Sequence, residues 1–383
     1  VTPFTAAELE RLLGRPVRAA VSPEDRSRYQ GRRVLVTGAG GSIGGALARE
    51  LAASGPAELV LVDHAELPLF EIERELQRSG APIVAKLADV TRGRLMARIA
   101  ADTRPDVVFH AAAYKHVTMT ERTPAVAAGV NVAGAFETAR AAASVGARFV
   151  LISSDKAAEP ESVMGATKRL AEVVTRSLAS SFFRPVVVRF GNVIGSSGSV
   201  LPILRADVRD GRPIDVTDPR ATRYFMTPGE AVALLMRADD LGRAGEILWL
   251  EMGRPVHLGD LVDRLMALEG DLGFPAVPVR TIGLRPGEKR NETLSDRRLV
   301  FERTIDDRIL VAREDPVSRS RGEAIAARLR RAAREGDDRM ALAVLESEVE
   351  GFRPSRQARD VGRRAISARS GAPAPARRRG QAA

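Results

Sequence analysis

An acid beside an amine marks where this chain could do chemistry: Ser154-Asp155-Lys156 follows the apolar run Ala147–Ile152, and a second amine, Lys168, stands a short way downstream. Such groups exchange protons with a bound molecule when their surroundings move their pKa values toward neutrality. Desolvation and a neighbouring Lys168 ammonium would lower the pKa of Lys156, and Asp155 would raise it, so acid and amine titrate as a coupled pair. An exposed ion pair on a loop is the plainer alternative. Only five of the 59 basic residues are lysine: Lys86, Lys115, Lys156, Lys168 and Lys289. Where positive charge alone suffices the chain uses Arg, so a lysine points to a compact ammonium or to an amine that can lose its proton.

A second cluster is built for phosphate. The run Val34–Thr37 leads straight into Gly38-Ala-Gly40-Gly41-Ser42-Ile43-Gly44, and a helical pattern follows. Glycines there allow a tight turn and close backbone approach, and the helix N-terminus offers free N–H groups to a pyrophosphate. Asp63, about 20 residues on, can accept from ribose hydroxyls and would repel a 2′-phosphate, which favours NAD over NADP. Asp89-Val90 stands where an adenine would lie, although an Asp there also caps a helix. The small residues Ala111, Ala112 and Ala113 let a flat cofactor rest on the backbone, and Lys115 and His116 follow toward the same edge. A loop histidine satisfied by hydrogen bonds accounts for His116 as well as a substrate contact does.

The elements that must position these residues read as parallel βαβ units. Strands are expected at Val34–Thr37, Glu58–Val62, Pro82–Leu87, Val107–Ala111, Ala147–Ile152 and Pro185–Phe190, with crossover helices such as Ser42–Ala53, Arg92–Ala101, Pro124–Val145 and Val163–Ala179. This is an α/β doubly wound parallel sheet with its ligands at the carboxyl edge. The expected organisation is an N-terminal helix and connector (1–31), a dinucleotide-binding domain (32–190), a mainly substrate-binding lobe (191–315), C-terminal helices broken at Gly336 (316–353) and a disordered Arg-rich tail (354–383).

Composition narrows the class further. Zero Cys excludes disulfides and thiolate chemistry, and four scattered His leave little for a metal site, so no metal is expected. The net charge is +10, but +8 of it lies from Val317 onward, so the body is nearly neutral and no nucleic-acid partner is expected. No apolar run spans a bilayer and no signal peptide opens the chain, which makes the cytoplasm the expected location.

The helix after the acid-amine pair resembles the short-chain dehydrogenase/reductase superfamily, whose pattern there is Tyr-x-x-x-Lys. Here it reads Met164-x-x-x-Lys168, and a thioether cannot transfer a proton. Seven runs in order carry a closer resemblance: His110–His116, Ser154–Lys156, Val163–Arg169, Val188–Val193, Gly195–Val200, Thr222–Thr227 and Gly283–Lys289. Together they resemble the CapD-type polysaccharide-biosynthesis branch, the UDP-N-acetylglucosamine 4,6-dehydratases, in whose C5-retaining members methionine commonly holds the tyrosine position.

That resemblance implies an extended short-chain dehydrogenase fold, a homo-oligomer and a tightly held NAD (NADP remains possible). The reaction it implies oxidises carbon 4 of a UDP-sugar, eliminates water across carbons 5 and 6, and returns the hydride to carbon 6. Asp155 would be the acid at the leaving hydroxyl and Lys156 the base at carbon 5; Lys168 would hold the nicotinamide ribose. For the carbon 4 hydroxyl proton Asp155 ranks ahead of Lys168 and Lys115, with Ser154 as a hydrogen-bonding partner. Asn192, Arg223 and Arg285 are candidates for the diphosphate, Glu288 for the uridine ribose, and Ser197 for a sugar contact in the glycine-rich loop. Many members carry a membrane domain ahead of this part, so the chain reads as a short member or a fragment. A 4-epimerase and an inert NAD-binding regulatory protein are the competing readings.

Overall fold

A computed structural model describes residues 4–18, 20–196, 199–293 and 299–370, the last seven of these as backbone only. Seven parallel strands form its centre: β1 (Arg33–Thr37), β2 (Glu58–Asp63), β3 (Ile83–Leu87), β4 (Val107–His110), β5 (Arg148–Ile152), β6 (Pro185–Arg189) and β7 (Ile247–Leu250). Two antiparallel strands, β8 (Phe301–Arg303) and β9 (Ile309–Ala312), extend one edge, giving the order β8-β9-β7-β6-β5-β4-β1-β2-β3. The order reverses between β1 and β4, and this switch point opens a crevice at the strands' carboxyl ends. The central strands are near-continuous Val/Ile/Leu runs because both faces are covered; β6, for example, is buried at every position.

Helices Ser42–Ala53 and Glu66–Gln77 cover one face with Pro228–Leu241, and Gly93–Thr103, Ala135–Ser144 and Val163–Arg176 cover the other. A helical hairpin, Arg319–Glu335 and Asp338–Glu348, packs over the second face, with Gly336 in the left-handed conformation between the two helices, as its sequence suggests. Helix Val163–Arg176 is therefore enclosed from both sides, and Arg169 is its only residue that is not buried. Burying its polar positions requires partners. Glu172, fully buried, accepts from Arg189 Nη2 at 2.6 Å and Ser153 Oγ at 2.5 Å, while Arg169 and Arg176 meet Glu314.

A third core belongs to a smaller lobe and unites Ile194, Leu201, Leu204, Leu261 and Leu265 with Leu12 and Leu13 from the other end of the chain. The N-terminal helix Ala6–Leu13 closes this lobe, with Glu8 paired to Arg205 and Phe4 under the Arg205 guanidinium. Residues 191–315 are divided, since β7, β8 and β9 return to the main sheet. The tail expectation needs correction: Arg356–Ser370 is a helix. Its inward positions, Ala358 and Gly362, are too small to leave an apolar periodicity in the sequence, yet Ala358 is fully buried and Gly362 lies against Leu342. Residues 371–383 lie outside the described residues. No helix among the described residues is long and apolar enough to cross a membrane.

Burial acts to raise the pKa of Glu172, but Arg189 and Arg169 outweigh it and hold the carboxyl at about 2. Glu172→Ala leaves Arg189 buried without its counter-ion, and the expected loss is about 3–5 kcal/mol by urea unfolding. The folded pKa is depressed, so the stabilisation is complete above 4.5 and fades as pH falls through about 2. Glu172→Gln should flatten that acid limb.

Candidate active site

The glycine turn is shaped by what a side chain would strike. Gly38 has φ +68°, and a Cβ on it would come within 2.7 Å of Ala112 N; one on Gly44 would lie 2.0 Å from Gly38 O. The turn after β1 thus lies flat on the loop after β4, and the helix Ser42–Ala53 starts with no side-chain cap at the cavity edge, where Gly41, Ser42, Ile43 and Gly44 line the cavity. Asp63 at the end of β2 accepts from Gly40 N at 2.9 Å and Ala65 N at 3.0 Å, so it braces this turn. Asp89 accepts from Thr91 N, and Val90 is buried against Gly134.

The loop after β4 is pinned by a residue that sequence reading passed over. Residues Gly129–Gly134 form a π-helical turn inside a longer helical stretch, which places Asn131 inward. Its amide accepts from Tyr114 N at 2.7 Å and donates to Tyr114 O and Thr167 Oγ1, locking Ala111–His116 to the helix that carries Lys168. Only the widened turn brings Asn131 to that position, so its period in the sequence gives no signal. Lys115 reaches Ser196 Oγ at 3.3 Å, and burial lowers its pKa; burial and then Lys115 lower that of His116.

β5 ends in the Ser154-Asp155-Lys156 turn. Ser153 N and Asp155 N donate to Val188 O and Phe190 O, which fastens the turn to the neighbouring strand and its extension. Asp155 is buried; its Oδ1 accepts from Ser154 Oγ at 2.8 Å and Lys156 N at 2.8 Å. Lys156 Nζ lies 3.1 Å from Asp155 Oδ1, 3.2 Å from Asn192 Oδ1 and 3.2 Å from Glu292 Oε1. Burial acts to lower its pKa, but Asp155 and then Glu292 outweigh that and raise it. Sequence alone leaves the coupled pair Asp155 and Lys156 without an order of protonation; the structure adds Glu292, a second carboxylate beside Lys156 that its neighbours in sequence do not reveal.

Lys168, like Lys115, is a lowered amine, and burial brings Lys168 to about 8. Its Nζ donates to Ile152 O at 2.5 Å, and it shares a helix face with Met164, four residues before it. Both line a cavity of about 590 Å³ that runs from Gly38, Gly41, Ser42, Ile43 and Gly44 past Ala111, Ala113, Ser154 and Lys156 to the smaller lobe.

From that lobe come Asn192, Arg223, Arg285 and Glu288, all lining the same cavity. Asn192 is turned toward Lys156. Arg223 donates to the carbonyls of Thr222, Lys289 and Arg290, so most of its guanidinium holds the loop that ends in Glu292. Glu288 Oε2 accepts from Arg285 N across a tight turn. A smaller polar chamber of about 230 Å³ lies beyond Lys156 and Asn192, between Lys115, Arg285 and Glu292. Gly40, Asp63, Asp89, Val90, Ala112 and Asp155 do not line this cavity or the smaller chamber, and Ser197 lies outside the described residues. Among the described residues no three acidic or His side chains gather as a metal site would require.

The sequence profile of the family described as polysaccharide biosynthesis protein matches residues 34–314. The probable polysaccharide biosynthesis protein EpsC of Bacillus subtilis is 42% identical over 309 residues, 79% of this chain and 52% of EpsC. The capsular polysaccharide biosynthesis protein CapD of Staphylococcus aureus is 38% identical over 319 residues, 80% of this chain and 52% of CapD. The chain spans about half the length of these curated relatives. Among solved structures, Pen from Bacillus thuringiensis superposes with a TM-score of 0.71 at 28% identity, covering 76% of this chain and 90% of Pen. DesIV from Streptomyces venezuelae, a dTDP-glucose 4,6-dehydratase, shares the fold at TM-score 0.61 and 22% identity over 79% of this chain and 98% of its own. The UDP-glucose 4-epimerase of Thermotoga maritima does so at TM-score 0.61 and 22% identity over 69% and 90%.

Gly44→Ala should remove the dinucleotide from the purified protein, because its Cβ would collide with Gly38 O at the position where the turn must stay flat. Chromatography of the nucleotide released on denaturation measures this; full retention would contradict the assignment of the turn.

Proposed function

The chain belongs to the polysaccharide biosynthesis protein family, and from that premise we propose that it is a nucleotide-sugar 4,6-dehydratase acting on UDP-N-acetylglucosamine or a close UDP-sugar, with NAD as resident cofactor. The observation that carries the reading is the Asp155–Lys156 ion pair on the cavity that Met164 and Lys168 also line. The flat turn at Gly38 and Gly44 fits a pyrophosphate, Asp63 stands near the expected ribose, and Lys168 would hold the nicotinamide ribose. When bound, the dinucleotide supplies reversible oxidation, taking a hydride from carbon 4 and returning it to carbon 6.

The residues of this chain handle the protons. Asp155 pairs with Lys156 and is reached from the cavity through Ser154 Oγ, which donates to it at 2.8 Å. In this reading the carbon 4 hydroxyl hands its proton through Ser154 to Asp155, a role that needs no tyrosine. The new ketone acidifies the carbon 5 proton, which Lys156 removes, and Asp155 delivers its proton to the departing carbon 6 hydroxyl, which leaves as water. The same carboxyl thus acts first as base and then as acid. Arg285 is the cation of the lobe best placed for the diphosphate, since Arg223 is occupied by backbone carbonyls.

A 4-epimerase is the competing reading, because it shares the oxidation and needs no elimination. Incubation with UDP-N-acetylglucosamine in deuterated water separates the two by NMR. Loss of water with deuterium at carbon 5 is the expected result; a carbon 4 epimer that retains the carbon 6 hydroxyl would sink the dehydratase. Lys156→Ala should lower turnover by about 100-fold or more while the protein keeps its dinucleotide.

A further inference from the structure

Resting on the dehydratase reading, we propose that Glu292, from the substrate lobe, is the positioning residue that holds the Lys156 ammonium and accepts its proton when Lys156 must become a base. Two elements far apart in sequence make the contact: Lys156 on the turn after β5, and Glu292 beyond the Gly283–Lys289 run. Glu292 Oε1 lies 3.2 Å from Lys156 Nζ, and its side chain is 4% exposed. At that depth a carboxylate must be paired. Its partners among the described residues are Lys156 and, at 3.7 Å, Arg223 Nε, whose own position is set by the backbone at Lys289 and Arg290. Facing Lys156 there are Asp155 on its own turn and Glu292 and Arg223 from the lobe. The chamber beyond adds the basic side chains Lys115, Arg285 and Lys289, the imidazole of His116 and the carboxylates Glu161 and Glu288.

Proton counting gives Glu292 its role. At rest the proton shared by Asp155, Lys156 and Glu292 sits on Lys156. Oxidation of carbon 4 releases one proton to Asp155. Lys156 can then remove the carbon 5 proton only if its own proton has left, and Asp155 is already protonated. Glu292 is the remaining carboxylate in contact, so the proton moves from Lys156 Nζ to Glu292. Elimination leaves Lys156 protonated, Asp155 ionised and the surplus proton on Glu292. Return of the carbon 5 proton from Lys156, followed by transfer from Glu292 back to Lys156, restores the resting count. No further acid, base or reductant is required.

With five lysines in the chain, a holoprotein carrying 13C at the lysine ε-carbons gives a spectrum simple enough to titrate Lys156 alone, assigned by Lys156→Arg. Lys156 should titrate above an ordinary lysine, and in Glu292→Gln its midpoint should fall by about one pH unit or more, with Glu292→Asp close to the unaltered protein. Turnover by Glu292→Gln should fall about 100-fold in kcat with little change in KM, and Glu292→Asp should recover part of it. Titration of Lys156 at or below the ordinary lysine value in the unaltered protein overturns the proposal without any variant. So does a midpoint or a kcat indifferent to Glu292→Gln. Absence of dehydration by the unaltered chain, with the titration shift present, removes the reaction assigned to the site and leaves the Lys156–Glu292 coupling standing.

Discussion

The geometry of the site depends on one buried ion pair, Glu172 with Arg189. Both side chains are fully enclosed, and their bidentate contact joins the helix Val163–Arg176 to β6. The same carboxylate receives Ser153 Oγ from the end of β5. Helix, strand and the turn after β5 are thereby fixed to one another below the cavity floor. A charge pair at that depth tolerates little displacement, because desolvation is offset only while the hydrogen bonds are intact. Met164 and Lys168 are presented from above this anchor, and Asp155 and Lys156 from beside it.

The C-terminal hairpin explains why such a pair exists at all. Its two helices cover the outer side of Val163–Arg176, so polar residues that would face water on a surface helix are taken into the interior. Arg169 and Arg176 find Glu314 on the segment leading out of β9. Residues more than a hundred positions downstream thus decide the electrostatic setting of the helix that lines the cavity.

Two amines a few residues apart meet opposite fates in this setting. Lys168 is buried, with Glu172 as its one charge support, and desolvation dominates. Lys156 is partly buried between two carboxylates, and attraction dominates. Burial acts in the same direction on both, so the difference comes from the neighbours and from the lobe that supplies Glu292. The lobe thus completes the set of charges around Lys156.

The sequence by itself determined the periodic and the contiguous features. β-branched runs set the parallel strands, Gly38–Gly44 set the phosphate turn, Gly336 set the break in the hairpin, and Ser154-Asp155-Lys156 stood together because they are neighbours along one chain. Local sterics and burial period govern all of these, and both are written within a few residues. Tertiary structure alone decided the rest. Asn131 enters the site through a π-helical turn, Leu12 and Leu13 complete a core built from residues after 190, and Ala358 and Gly362 seat a helix where composition suggested none. Glu292 joins Asp155 at the Lys156 ammonium from a distant part of the chain. In each case the deciding partner is distant in sequence, and the energy of a buried charge or a packed side chain depends on what lies within a few ångströms in space.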